Sequence, residues 1–167
     1  MRVGIIIPCY NEENRINQEA FIRGLFYYDN FNVCFVNDGS TDKTINTLKY
    51  IQSFYPNRVS IIDKKVNQGK ASAIRDGAKH LHQNTDIGYI GYLDADLSTD
   101  FEDFNDLLIS LKSDRKLIMV FGSRNCGSSN IERNPFRKIF STVIMKFIQL
   151  ILQLPIKDTQ CGAKVFR

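Results

Sequence analysis

The chain has 167 residues, the size of one domain able to bury about 70% of the surface its unfolded form exposes. Its 43% apolar, 11% aromatic and 24% charged content excludes a disordered, collagenous or disulfide-scaffold protein. The net charge of +4 is uneven, with ten Lys/Arg against two Asp/Glu over residues 115–167 and twelve against sixteen over residues 1–114, so the basic stretch suits an anionic partner.

Short apolar runs alternate with segments of helical period, the pattern of repeated βαβ units in an α/β fold whose mostly parallel sheet is flanked by helices. Residues 3–7 are read as the first strand, followed by a helix over 12–28. Residues 33–36 and 59–62 are the next strands, with helices over 42–54 and 70–82 after them. A strand over 87–93, a helix over 101–113 and a strand over 117–121 complete the alternation. Ser40-Thr41-Asp42 and Thr99-Asp100 are N-cap types that mark two helix starts.

No repeat or linker interrupts residues 1–123, and the whole of 1–167 is read as one domain. Residues 123–134 are rich in Gly, Ser and Asn, the composition of a loop that moves, and Pro135 suits the first turn of a helix over 135–153. That helix repeats apolar residues at intervals of three and four, with Arg133, Arg137, Lys138 and Lys146 supplying positive charge. It lies at an anionic membrane interface, or it packs on the sheet or in a homodimer interface. Its longest charge-free stretch, residues 147–156, is too short for the roughly 20 residues a bilayer crossing needs. Cys9, Cys34, Cys126 and Cys161 lack metal-finger spacing and are read as reduced. The opening apolar stretch is too short for a signal peptide, so a cytoplasmic location is expected.

Ligands of open α/β sheets bind at the carboxyl ends of the strands, and three of those ends are polar: Pro8-Cys9-Tyr10-Asn11-Glu12-Glu13, Asn37-Asp38-Gly39-Ser40-Thr41-Asp42 and Asp94-Ala95-Asp96-Leu97-Ser98. Asp94 and Asp96 can both turn toward a hard divalent cation, Mg²⁺ or Mn²⁺, that bridges a diphosphate; a solvated acidic turn is the plainer reading. Asp38 can accept hydrogen bonds from a base or ribose while Gly39 admits the ligand closely, although Ser40 and Thr41 would also explain a turn with a helix cap. Asn67-Gln68-Gly69-Lys70 sets a glycine before a helix start, with Lys70 and Arg75 able to approach an anion, and it lacks P-loop spacing. No nucleic-acid-binding motif is present, and nucleic acid is not expected as a partner.

Taken together and in this order, these pieces, with Gly122-Ser123-Arg124 and Asp158-Thr159-Gln160-Cys161-Gly162, resemble the family 2 glycosyltransferases of the GT-A fold. The ending from Asp158 to Phe166 is most similar to the polyprenyl-phosphate branch, which includes dolichyl-phosphate glucosyltransferases and dolichol-phosphate mannose synthases. The resemblance implies that Pro8, Tyr10 and Glu12 contact the nucleotide, that Asp38 with Gly39 recognises base or ribose, and that the Lys70 loop closes over the nucleoside. Asp94 and Asp96 would hold the metal, Asp96 more directly. Arg124 would touch the acceptor phosphate or the donor diphosphate. Asp158 is a candidate base or positioning group, Gln160 lies on the acceptor side, and Arg137 and Lys138 join them there. Ser98 stands where some relatives have a third, Gln ligand, and Ala163 where relatives often carry an aromatic residue.

The activity implied is inverting transfer of a hexose to a polyprenyl phosphate at the cytoplasmic face of a membrane. Glucose from UDP-glucose is preferred to mannose from GDP-mannose, and a sugar acceptor in surface-polysaccharide synthesis is a further alternative. Many relatives continue past the acceptor motif, so the chain reads as truncated. A nucleotidyltransferase and a non-catalytic nucleotide-binding module are the readings from other classes.

Overall fold

The computed structural model describes residues 1–122 and 162–167, nearly all within one compact unit, Met1–Val120 with Gly162–Arg167. Two strands, β1 (Arg2–Cys9) and β2 (Phe31–Asp38), form its centre. Every residue of β2 is buried, as are six of the eight in β1, which explains why both read as continuous apolar runs instead of alternating ones. β3 (Val59–Lys64) pairs with β2 and β4 (Ile87–Tyr92) with β1, all in parallel.

Two short strands, β5 (Met119–Phe121) and β6 (Lys164–Phe166), complete the sheet in the order β3-β2-β1-β4-β6-β5, with β6 antiparallel to β4. β6 is absent from the sequence reading: three residues carry no usable period, and what makes them a strand is the pairing of Ile90, Gly91 and Tyr92 with Phe166, Val165 and Lys164.

Side chains alternate between the two faces of the sheet. Ile6, Cys34 and Val36 meet Ala73 and Leu81 of α3 (Lys70–His82). On the other face Phe31 and Phe35 join Phe21 of α1 (Gln18–Tyr27) and Phe101 and Phe104 of α4 (Phe101–Ser113), with Phe21 and Phe35 rings 5.1 Å apart and Phe31 and Phe104 rings 5.8 Å apart, edge to face. α2 (Thr44–Phe54) lies beside α1 against β3.

The helices over 70–82 and 101–113 occur as expected, the second capped by Asp100, whose side chain accepts from Asp103 N. The other two start later than expected. α1 begins only at Gln18, because Glu12–Ile16 folds into a turn and Asn17 is the residue whose side chain caps the helix, at Ala20 N. α2 is preceded by Lys43, which makes no side-chain cap; Asp42 accepts from Thr44 N at the helix start with Oδ1 and from Glu13 N of the β1 loop with Oδ2, and Ser40 holds that loop at Asn11. Cys9 and Cys34 are free and buried, and burial pushes the Cys34 thiol up to about 11, so it stays protonated. Among the described residues no helix is long and apolar enough to cross a membrane.

Candidate active site

β1 has β2 on one side and β4 on the other, so the chain order reverses between β1 and β4. Such a switch point opens a crevice at the carboxyl ends of the two strands. The loops leaving β1 and β4, residues 10–17 and 93–100, flank it. Pro8, Tyr10, Glu12, Asp38, Lys70, Asp94 and Asp96 all line one cleft of about 410 Å³, so residues spread over most of the sequence are brought together.

The β1 loop is zipped to the loop between β2 and α2. Asn11, at φ 54, donates its N–H to Ser40 Oγ at 2.9 Å and accepts at Oδ1 from Thr41 N at 2.8 Å. Glu12 N donates to Thr44 Oγ1 at 2.8 Å and Glu13 N to Asp42 Oδ2 at 3.1 Å, while Glu13 Oε2 accepts from Lys43 N. Thr44 therefore orients Glu12 directly, while Ser40, Thr41 and Asp42 hold its neighbours Asn11 and Glu13, so polar groups at the start of α2 also serve a neighbouring loop.

Asp38 is 3% exposed and both its oxygens are engaged. Lys64 Nζ lies 2.7 Å from Oδ1, and Gln68 N and Gly69 N donate to the carboxylate, the latter at 2.7 Å. Burial raises the Asp38 carboxyl, but the bonds from Lys64, Gln68 and Gly69 outweigh it and leave it below its ordinary value. Gly39 is not in the cleft lining. At φ +72 it lies against the backbone of Val66 and Asn67, which a Cβ would meet at 2.6 to 3.0 Å, so it admits this chain's own loop closely. Asp38 and Gly39 thus shape the Asn67–Lys70 wall of the cleft. Gly69, at φ +87, has nothing within 4 Å of where a Cβ would stand, which leaves open space beside the start of α3.

Across the cleft, Asp96 accepts Ser98 N at 3.0 Å on Oδ1 and Arg15 Nη2 at 3.1 Å on Oδ2. Burial raises its carboxyl, while the bonds from Ser98 and Arg15 lower it further than burial lifts it. Asp94 pairs with Lys70, whose ammonium also lies 5.7 Å from the Tyr92 ring centre. Gly162 packs directly on the Asp94 carboxylate, leaving no room for a side chain. Arg15 Nη1 reaches Glu12 Oε1 at 3.1 Å, and Glu12 Oε2 is buried without a hydrogen-bond partner among the described residues. Burial pushes the Glu12 carboxyl up; Arg15 opposes this, and Asp96, Asp42 and Asp94 add to it.

Such a crowded set of hard oxygen donors fits an added cation. Among the described residues no three His, Cys, Asp or Glu side chains gather closely enough to enclose an ion. The protein's share would be one or two carboxylates, as in sites where substrate phosphates and water complete the shell of Mg²⁺.

Arg75 does not line the cleft; its Nε is 4.0 Å from Asp76 and its side chain is exposed. Arg124, Arg137, Lys138, Asp158 and Gln160 lie outside the described residues, as do the 123–134 loop and the 135–153 helix. Arg15, which lines the cleft, and Lys64, which braces Asp38 of its wall, escaped the sequence reading. Lys64 meets Asp38 only through the parallel register of β2 and β3, which one sequence does not display, and the one local signal for Arg15 is its spacing of three from Glu12.

The family described as Glycosyl transferase family 2 matches residues 4–167. The dolichyl-phosphate beta-glucosyltransferase ALG5A of Trichomonas vaginalis is 32% identical over 175 residues, covering 98% of this chain and 52% of that protein. The chain thus spans about half the length of this curated relative. Among solved structures, mannosyltransferase PcManGT of Pyrobaculum calidifontis, in complex with GDP-Man and Mn²⁺, superposes with a TM-score of 0.63 at 20% identity, over 99% of this chain and 44% of that one. Glucosyl-3-phosphoglycerate synthase of Mycobacterium tuberculosis, in complex with Mn²⁺, UDP and phosphoglyceric acid, gives 0.69 at 15% identity, over 99% and 55%. These likenesses establish the GT-A fold. With the family match running from Gly4 to the last residue, the chain belongs to glycosyltransferase family 2.

Proposed function

We propose that this chain carries the donor site of a metal-dependent, inverting transferase that moves a hexose from a nucleotide-sugar to a polyprenyl phosphate, with glucose from UDP-glucose preferred to mannose from GDP-mannose. The observation that carries the proposal is the meeting of Glu12, Asp94 and Asp96 with Arg15 and Lys70 in one cleft at the sheet's switch point. The glucosyl preference follows the named activity of the Trichomonas relative.

Asp94 and Asp96 would hold Mg²⁺ or Mn²⁺, which when bound supplies charge stabilisation for a departing diphosphate. Lys70 adds a second positive charge, and the start of α3, which no side chain caps, borders the cleft at Gly69, Lys70 and Ala73, as a phosphate-binding helix start would. Tyr10 is 47% exposed at the cleft and offers a ring face to a base. A sugar leaving the diphosphate gathers positive character at its anomeric carbon, and a phosphate acceptor attacking from the opposite side inverts that centre. Such an acceptor is already anionic, so we assign Asp158 to positioning in preference to proton removal, with Arg124, Gln160, Arg137 and Lys138 on the acceptor side. Peripheral contact with the cytoplasmic face of an anionic membrane, and a homodimer, complete the proposal.

Gly162→Ala is expected to leave the unfolding midpoint nearly unchanged while weakening Mn²⁺-dependent UDP binding about tenfold, the scale of one lost hydrogen bond to a charged group. A Cβ there displaces the Asp94 carboxylate from Lys70. Calorimetric titration of the variant reads the change, and unaltered affinity would remove Asp94 from the donor site.

The proposal is tested with a panel of UDP-glucose and GDP-mannose, with and without polyprenyl phosphate and Mn²⁺, scoring released nucleotide and lipid-linked hexose. UDP release that needs both lipid and metal is the expected result. Pyrophosphate release would identify a nucleotidyltransferase, and binding without turnover would identify a binding module.

A further inference from the structure

Arg15 is among the residues that line the cleft. It sits in the turn between β1 and α1, where Arg15 N and Ile16 N both donate to Glu12 O, and Ile16 anchors the turn at 7% exposure. From this fixed base the guanidinium spans a carboxylate on the β1 loop, Glu12 Oε1, and one on the β4 loop, Asp96 Oδ2, each at 3.1 Å. Each oxygen of Asp96 has one partner, Oδ1 the Ser98 amide of its own loop and Oδ2 the exposed Arg15 guanidinium, so Oδ2 is the oxygen whose partner is free to leave. The Arg15 side chain is 60% exposed, so no packing prevents it from leaving.

A divalent cation that takes Asp96 Oδ2 competes with Arg15 for that oxygen, because two like charges cannot approach it together without repulsion. The displaced guanidinium stays tethered to a turn at the cleft wall, beside the place where the donor's diphosphate would lie. Its planar fork of donors matches phosphate oxygens as well as carboxylate oxygens.

We infer that Arg15 is a charge-swap residue: it neutralises Glu12 and Asp96 in the donor-free cleft and moves from Asp96 to the diphosphate when the cation and nucleotide enter. This rests on the donor site proposed above. The consequence is that metal alone binds against a resident competitor, while metal with nucleotide binds with that competitor converted into a contact. Arg15 is thus a positioning residue that couples the two ligands and discourages the cation from filling the site without its donor.

The experiment measures Mn²⁺ binding to the 167-residue chain from the free-Mn²⁺ electron paramagnetic signal, then UDP and GDP binding at saturating Mn²⁺, for the wild type, Arg15→Ala and Arg15→Lys. Arg15→Ala is expected to bind Mn²⁺ alone about fivefold tighter, the scale of one exposed ion pair, with an unfolding midpoint within a few degrees of wild type. Its nucleotide affinity is expected to fall about tenfold, as one charge-assisted contact is lost. Arg15→Lys should restore the weaker metal-only affinity, because the charge returns, without restoring nucleotide affinity, because the fork does not. Unchanged or weaker Mn²⁺ binding by Arg15→Ala overturns the competition, and unchanged nucleotide affinity overturns the transfer. A wild-type chain that binds neither UDP nor GDP with Mn²⁺ overturns the donor site itself, a result distinct from wild-type binding that Arg15→Ala leaves unaltered.

Discussion

Replacing Lys64 with methionine is expected to lower the stability of the fold by about 3 to 5 kcal/mol, the cost of leaving a buried charge without its partner. Lys64 and Asp38 side chains are only 12% and 4% exposed and lie 2.7 Å apart, so solvent cannot stand in for the missing ammonium. Lys64 also reaches Asp76 at 3.3 Å and Ser72 Oγ at 3.2 Å, which ties the end of β3 to α3. Asp38 in turn holds the Gln68 and Gly69 amides, so the loss should loosen the cleft wall as well as the core. Adding Asp38→Asn to Lys64→Met is expected to recover much of the loss by removing the orphaned charge. Urea unfolding at neutral pH measures both.

The pH dependence has a definite sign. Asp38 titrates below its ordinary 3.8 in the folded chain, so its contribution is present above that value and is lost as pH falls through the folded one. Burial lowers the Lys64 ammonium, but its bonds to Asp38 and Asp76 raise it above its ordinary 10.5, so its contribution is complete below that value and is lost as pH rises past it. The stability gap between wild type and Lys64→Met should therefore be widest between these limits and narrow on either side. A gap that is constant in pH, or smaller than about 1 kcal/mol, would mean that the pair contributes no more than a surface salt bridge.

On the proposed function, Asp96→Ala is expected to slow hexose transfer about 1,000-fold, the scale of removing one preorganised stabiliser of developing charge, with the fold intact. The Asp96 side chain is 37% exposed on a loop, and its partners Ser98 and Arg15 are exposed as well, so nothing in the core depends on it. Turnover at saturating donor and Mn²⁺, with the thermal midpoint as control, separates the two effects. Activity within tenfold of wild type would remove Asp96 from the reaction.

The central strands were legible because β1 and β2 are buried on both faces, which turns them into apolar runs that end where polar clusters begin. Gly69 and Asp100 punctuate the starts of α3 and α4 clearly enough to fix them from sequence. The start of α1 was not legible, since Glu12–Ile16 has helix-compatible residues and yields to a turn where Thr44 and Asp42 capture the Glu12 and Glu13 amides from another loop. The acidic pair Asp94 and Asp96 announces itself as a motif, whereas Lys64 and Arg15 acquire their roles from strand register and from a turn that crosses the cleft. For the same reason the bonds that Gln68 and Gly69 amides make to Asp38 were not legible: one sequence cannot display the backbone that folds back onto a carboxylate.

Anomalous diffraction from crystals grown with Mn²⁺ and UDP-glucose would show most directly whether the Asp94 and Asp96 loop and the Lys70 wall gather around one cation bearing the donor. The expected result is a Mn²⁺ peak about 2.1 Å from an Asp96 carboxylate oxygen, the distance of a hard divalent ion, with the diphosphate completing its shell. A peak on another surface, or a donor bound with no cation between its diphosphate and the acidic pair, would contradict it.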